Sequence, residues 1–295
     1  MTLRYDVVEA PSNLGLRPGG VELLPQALLR AGLRDGLEAE HAGRVQPPRT
    51  DPRRDPKTGL LNGPSILAYS RELANVIMPL VEQGRFPVVL GGDCSILLGP
   101  MLALRRLGRY GLFFLDGHAD FYQPEAEPSG EVASMELALV SGRGPSLLTD
   151  INGLSPLVRD QDVVAFGFRD EGRAAEEGSQ DIRDAPIEAY SLDEVSAIGV
   201  GRAAVKAVTR LERDSLIGFW IHLDADVLDD AIMPAVDYRQ PGGISYAELS
   251  EVLNVLISTG RAVGLTVTIL NPRKDPDGVA VKGLAKSIVR GLKRG

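Results

Sequence analysis

The chain has 295 residues, 44% of them hydrophobic and 24% charged, enough to bury a full-sized core in one large α/β domain or two small ones. A formal net charge of -8 argues against nucleic acid as a main partner, and no apolar run approaches the length that spans a bilayer. The single cysteine, Cys94, excludes an intramolecular disulfide and suits a reducing compartment; with no apolar leader stretch after Met1, the chain reads as cytoplasmic.

Residues 3–8 form a first strand, closed by the loop signal Ala10-Pro11-Ser12-Asn13. Gly19-Gly20 opens a helix-period pattern through Val21, Leu24 and Leu28 that ends at Gly32, and 37–45 reads as a second strand. The proline- and charge-rich segment 46–57 is a surface loop, and 66–81 has helical spacing. A buried strand at 85–90 runs into Gly91-Gly92-Asp93-Cys94-Ser95, with a helix after it to about 107. Residues 111–115 form a strand that feeds Asp116-Gly117-His118-Ala119-Asp120. A Pro- and Glu-rich loop at 123–130 precedes a short helix at 135–140. Strands are expected at 162–168 and 186–190, separated by a polar helix or loop at 171–184, and 193–214 is mainly helical. A buried strand at 217–223 runs into Asp224-Ala225-Asp226. Ser245 and Glu248 form a capping box for the amphipathic helix 245–256, and the last strand, 262–270, precedes a final helix at 279–292.

Strands alternate with helices without a long linker or a compositional break. That alternation implies a mostly parallel sheet covered on both faces, in one domain spanning 1–295. Ligands gather outside the carboxyl ends of such strands, and three polar clusters are expected there: Asp93-Cys94, residues 116–120 and residues 224–226. Period-two alternation carries Asp116, His118 and Asp120 out on one side, and two carboxylates with an imidazole at a strand end make a metal-ligand pattern. His222 shares the parity of Asp224 and Asp226. It is either a ligand or a support to one, or a core histidine that donates to a neighbour. Trp220 and the phenylalanines before the motifs read as core, and His41 as a surface or strand residue without a role.

The three clusters, in this order, resemble the signatures of the ureohydrolase family: arginase, agmatinase, formiminoglutamase and relatives. Gly91-Gly92-Asp93-Cys94-Ser95 is similar to G-G-D-H-S, and Asp116-Gly117-His118-Ala119-Asp120 to D-A-H-x-D. His222-Leu223-Asp224-Ala225-Asp226-Val227-Leu228-Asp229-Asp230 is similar to S-x-D-x-D-x-x-D-P. Fainter echoes at Gly19-Gly20-Val21-Glu22, Phe168-Arg169-Asp170, Gly242-Gly243-Ile244-Ser245 and Asn271-Pro272 extend the resemblance over nearly the whole chain. It implies a three-layer α/β/α sandwich with an eight-stranded, mostly parallel sheet, a binuclear manganese site and assembly into a homo-oligomer. By the same resemblance Asp116 and Asp224 would bridge two metals. His118 and Asp226 would complete one shell, and Asp120 and Cys94 the other. Asp120 would also hydrogen-bond the bridging hydroxide and take its proton. The implied reaction is attack of that hydroxide on the planar carbon of a small guanidinium or amidine.

Four departures from the family pattern bear on function. Cys94 replaces a histidine ligand; as a thiolate it adds negative charge, blunts Lewis acidity, and opens the site to Zn²⁺, Ni²⁺, Co²⁺ or Fe²⁺ besides Mn²⁺. Its alternative reading is a small buried thiol that ligates nothing. Ala133 stands in place of the loop histidine of G-N-x-H-G, so that proton shuttle is absent. Ile269 falls where D-x-x-E-x-N-P supplies the carboxylate that holds the guanidinium, which leaves a cationic substrate without its partner. Tyr238 and Arg239 replace a threonine- and glycine-rich loop and disfavour a guanidinium. Glu131, near the pocket mouth, either accepts a substrate amine or is simply solvated. The leading expectation is a metal-dependent hydrolase of a non-peptide C–N bond in a small guanidino, amidino or formimino compound, and not a standard arginase. Its alternatives are a degenerate pseudoenzyme with a binding or assembly role, and a Cys94 nucleophile with His118 or His222 as base.

Overall fold

Eight strands form among the described residues, most of them from short apolar runs: β1 (Tyr5–Ala10), β2 (Glu40–Arg44), β3 (Phe86–Gly91), β4 (Gly111–Leu115), β5 (Val163–Phe168), β6 (Glu188–Ser191), β7 (Phe219–Asp224) and β8 (Ala262–Thr268). They belong to a computed structural model that describes residues 3–293. The strands make one sheet in the order β2-β1-β3-β8-β7-β4-β5-β6, and each ladder between them is parallel.

Both faces of this sheet are covered, which is why most of its strands read as continuous apolar runs and not as alternating ones. On one face Val7, Val88, Phe113, Ile221 and Leu265 pack against the helices Leu24–Arg30, Val200–Val208, Tyr246–Ser258 and Val279–Leu292. Leu28, Ala203, Leu253 and Leu284 fill that layer. On the other face Val8, Val89, Leu112, Phe114 and Trp220 meet the helices Gly63–Glu82 and Leu98–Leu107 through Leu73, Ile77 and Met101. Each such aliphatic or aromatic side chain contributes about 1.5–3 kcal/mol by leaving water. Trp220 also satisfies its only polar atom, donating Nε1–H to Thr266 Oγ1 at 2.7 Å. The result is the expected α/β/α sandwich.

Several boundaries differ from the sequence reading for local reasons. The second strand shortens to Glu40–Arg44, because Leu33–Leu37 adds a helical turn beyond Gly32. Gly199, at φ 92°, divides the expected long helix into Leu192–Ile198 and Val200–Val208. Segment 171–184 holds one turn of helix, Arg173–Glu176, and a 3-10 turn, Ile182–Asp184. The last strand ends at Thr268 because Ile269 adopts a left-handed φ of 67°. The capping box at Ser245 and Glu248 is present, and an unanticipated second one joins Ser191 and Glu194. β3, β8, β7 and β4 are successive neighbours, so the loops that follow them meet at the carboxyl edge of the sheet.

Candidate metal centre

The loop after β3 is shaped by a backbone contact. A Cβ on Gly92 would lie 1.6 Å from the Ser12 carbonyl oxygen, so only glycine lets the two segments approach this closely. Asp93, part of one expected polar cluster, turns back to accept from Ser12 Oγ (2.8 Å) and Ser95 N (2.9 Å). It therefore caps the next turn and leaves Cys94 to face the site. Cys94 Sγ lies 2.8 Å from Asp224 Oδ2 and 3.1 Å from Thr268 Oγ1. Burial, and then the charge of Asp224, push its thiol well above the ordinary range.

The loops after β4 and β7 hold each other. Asp116 Oδ1 accepts from His118 N at 2.7 Å, whereas Oδ2 receives no donor and His222 Nε2 stands 3.9 Å away. His118 Nδ1 is 2.8 Å from Asp226 Oδ2, and Asp226 Oδ1 accepts from Gly117 N at 3.0 Å. A side chain at Gly117 would meet the Asp226 carbonyl at 2.6 Å, which accounts for glycine inside the motif. Asp224 Oδ1 caps the turn by accepting from Asp226 N at 2.8 Å. Arg169, from one of the fainter motifs, braces this loop by donating to Asp226 O at 2.7 Å. Asp120 sits at a left-handed φ of 43°, and its carbonyl accepts from Leu137 N (3.2 Å) and Ala138 N (3.4 Å).

Burial raises most of these acids above their ordinary range. Asp116 is raised well above the carboxylate range by burial and then by Asp120 and Asp224, and Asp120 by burial and then by Glu136. Burial likewise raises Asp224 and Glu136. Asp226 moves the other way: burial would raise it, but the neighbouring His118 and Arg169 cations hold it below its usual value. For His118, burial opposes protonation, yet Asp226 first and then Asp120 and Asp170 raise it to about 10. His222 is fully buried and lowered to about 3 by that burial. Its ring stacks on Phe114 with centroids 4.9 Å apart, and neither nitrogen has a partner, so the expected donation to a neighbour is absent.

The expected ligand residues come together, in three overlapping groups whose donor atoms lie within 4.8 Å of one another. One is Asp116, His118 and Asp226; another is Cys94, Asp116, His222 and Asp224; the third is Cys94, Asp116, Asp120 and Glu136. Asp116 Oδ2, both His222 nitrogens and both Glu136 oxygens are buried without hydrogen-bond partners. Buried orphan atoms of this kind call for an explanation, and convergent carboxylate, imidazole and thiol donors fit a divalent cation. Glu136 was missed in the sequence. Its one signal there is that it is the lone charge in the otherwise apolar run 135–140.

A cavity of about 640 Å³ opens onto His118, Asp120, Asp224 and Asp226. Ala133 and Ile269 line it, so a methyl group and a branched alkyl group stand where the family pattern has a shuttle and a carboxylate. Glu131 is neither solvated nor free to take an amine. It is buried, and it accepts from Arg17 N (3.0 Å) and from the Tyr238 hydroxyl across the mouth. Arg239 is paired with Asp230, Nη2 to Oδ2 2.9 Å, which neutralises its charge at the rim.

Known proteins share both sequence and architecture with this chain. The Arginase family matches residues 6–292. The arginase of Staphylococcus aureus (strain COL) is 29% identical over 282 residues, covering 93% of this chain and 92% of that protein. The arginase of Bacillus caldovelox is 30% identical over 278 residues, 91% of each chain. The native structure of Bacillus caldovelox arginase at pH 5.6 superposes with a TM-score of 0.91 at 26% identity, over 100% of this chain and 99% of that one. With a match of this extent, an eight-stranded parallel sheet and acids gathered at its carboxyl edge, the chain belongs to the arginase family of hydrolases.

Proposed function

We propose that this chain, as one arginase-like domain over residues 1–295, is a metal-dependent hydrolase of a non-peptide C–N bond in a small guanidino, amidino or formimino compound other than plain arginine. The observation that carries this reading is the cluster at the base of the cavity, where His118, Asp120, Asp224 and Asp226 line the wall and Asp116 lies beside them with its Oδ2 unpartnered. In this reading Cys94, Asp116, Asp120 and Asp224 hold one divalent cation, and Asp116, His118, Asp224 and Asp226 a second. Mn²⁺ is the favoured ion for the oxygen-rich set, with Zn²⁺, Ni²⁺, Co²⁺ or Fe²⁺ admitted by the sulfur of Cys94. Such cations, when bound, supply a water of lowered pKa and polarise the atom it attacks.

The chain's own residues set the rest. Asp120, on the cavity wall, is the group that takes the proton. Ile269 and Ala133 put alkyl groups where the family pattern has a carboxylate and an imidazole, which removes from a charged guanidinium its dedicated partner at the reacting end. A cytoplasmic homo-oligomer is the state proposed, on the single cysteine and the family resemblance.

A second reading, a catalytically degenerate member kept for binding or assembly, is favoured by the same Ala133 and Ile269. Both are tested by loading purified protein with Mn²⁺, Ni²⁺, Co²⁺ or Zn²⁺, measuring bound metal, and screening release of urea, ammonia or formamide from guanidino, formimino and ureido compounds. Stoichiometric metal with turnover is expected. Lack of metal under all loadings sinks the hydrolase, and metal without turnover favours the degenerate reading. Turnover that survives a chelator but not Cys94→Ala would instead make Cys94 the nucleophile.

A further inference from the structure

Glu136 is fully buried, and no N–H or hydroxyl donor reaches either of its carboxylate oxygens; beside it stands the carboxyl of Asp120, which hydrogen-bonds it when protonated. It opens the short helix Glu136–Val140, whose Leu137 and Ala138 amides are fastened to the Asp120 carbonyl. The fastening fixes Glu136 beside Asp120. One of its oxygens falls in a group with Cys94 Sγ and with oxygens of Asp116 and Asp120, all within 4.8 Å. Carboxylate oxygens at about 2.0–2.2 Å and sulfur at about 2.3 Å from one ion lie at most about 4.5 Å apart, so a small inward movement of the side chains gives the group the span of a single coordination shell. Packing gives no reason for a carboxylate here. Leu137, Ala138, Leu139 and Val140 around it are apolar and buried, and a leucine of similar volume would fill the place without an unpaired charge.

We propose that Glu136 is a direct ligand of the divalent cation on the Cys94 side, alongside Cys94, Asp116 and Asp120. This rests on the metal-binding half of the function proposed above and adds a residue that the family motifs do not supply. Three carboxylates and one thiolate make an oxygen-rich shell with a single soft donor. That shell takes a first-row divalent ion such as Mn²⁺, Fe²⁺ or Co²⁺ in preference to Mg²⁺. Glu136 and Cys94 act together: where the chain gives up an imidazole, the short helix returns an oxygen to the same ion.

The test reads metal and not turnover. Full-length wild type and Glu136→Gln, stripped with a chelator, are titrated with Co²⁺ and then Mn²⁺ by calorimetry, with the thiolate-to-cobalt charge-transfer band marking occupancy beside Cys94. Expected is an affinity for the sulfur-marked position lower by about tenfold or more in Glu136→Gln, with the His118-side position unchanged. Unchanged affinity and an unchanged band overturn the assignment while leaving the hydrolase reading intact. Failure of the wild type to bind any divalent ion overturns both, and metal without turnover affects only the hydrolase. Should Glu136→Gln not fold, Glu136→Asp, which withdraws the carboxylate by one methylene, reads the same affinity. The anomalous-difference map of manganese-soaked wild-type crystals is decisive on its own: an ion coordinated without Glu136 overturns the proposal.

Discussion

Ile269 pairs an adverse backbone with an altered chemistry. Its φ of 67° is one that β-branched residues adopt at a cost of about 1–3 kcal/mol, and its amide is held on Gly92 O at 2.8 Å. The neighbouring segments therefore dictate the backbone, and the side chain is free to vary. Replacing Ile269 with glutamate should raise kcat/KM for a cationic guanidino compound by about tenfold or more, roughly the ~1.4 kcal/mol of one recovered charge contact, and should not help a neutral analogue. Assays of urea release from a matched pair of substrates check this; equal gains on both would contradict it. The substitution at Ile269 was legible once the motif was set against its family pattern. Its left-handed backbone was not, because apart from glycine no residue type announces that conformation. Glu136 was illegible for another reason. A lone acid in an apolar run marks burial, but only the fold shows what it is buried against.

Within an element, the tightest constraint lies in the turn after β3. Gly92 passes over the Ser12 carbonyl with no room for a methyl group. Gly92→Ala should destabilise the protein by about 2–3 kcal/mol, the cost of forced overpacking, and weaken metal binding beside Cys94. Urea unfolding of the metal-free variant measures the first effect, and a midpoint equal to wild type would refute it. The same turn shows why the ligand motifs could be read from the chain. Asp116 follows directly on the buried β4, Asp224 is the last residue of the buried β7 and Cys94 lies three residues past the buried β3, and an apolar run ending in polar residues is a local signal. β2 gave no such signal because it is an edge strand whose side chains remain largely exposed. The break at Gly199 escaped notice because hydrophobic spacing continues across it. The approach of Thr268 to Cys94 is a product of the order β3-β8-β7-β4, which sequence distance conceals.

Across the whole molecule, the buried acids tie stability to protons and metal. Asp116, Asp120, Asp224 and Glu136 are all raised in the folded chain, and His118 is raised from 6.5 to about 10. Groups raised on folding bind more protons in the native than in the unfolded state, so their stabilisation is complete at low pH and is lost as pH rises. For His118 the loss runs from pH 6.5 to about 10. Asp226, which is lowered, contributes in the opposite sense at acid pH and is already ionised across that window. The thermal midpoint of the metal-free protein is therefore expected to fall between pH 6.5 and about 10. A bound divalent cation takes over the role of the protons, raises the midpoint and flattens the slope. Scanning calorimetry of stripped and loaded protein across that range decides it, and a metal-free midpoint that climbs with pH would contradict it.

Cys94 is the only thiol in the chain, and none of it reaches solvent. A sulfenic acid formed there has no second thiol in the same molecule with which to form a disulfide and be rescued. An oxidant small enough to enter would carry the sulfur on to sulfinic acid, irreversibly, while the fold around it persisted. Burial and the raised thiol slow the first of these steps, so while the fold is closed and no metal draws off the proton, the sulfur is expected to stay reduced in air.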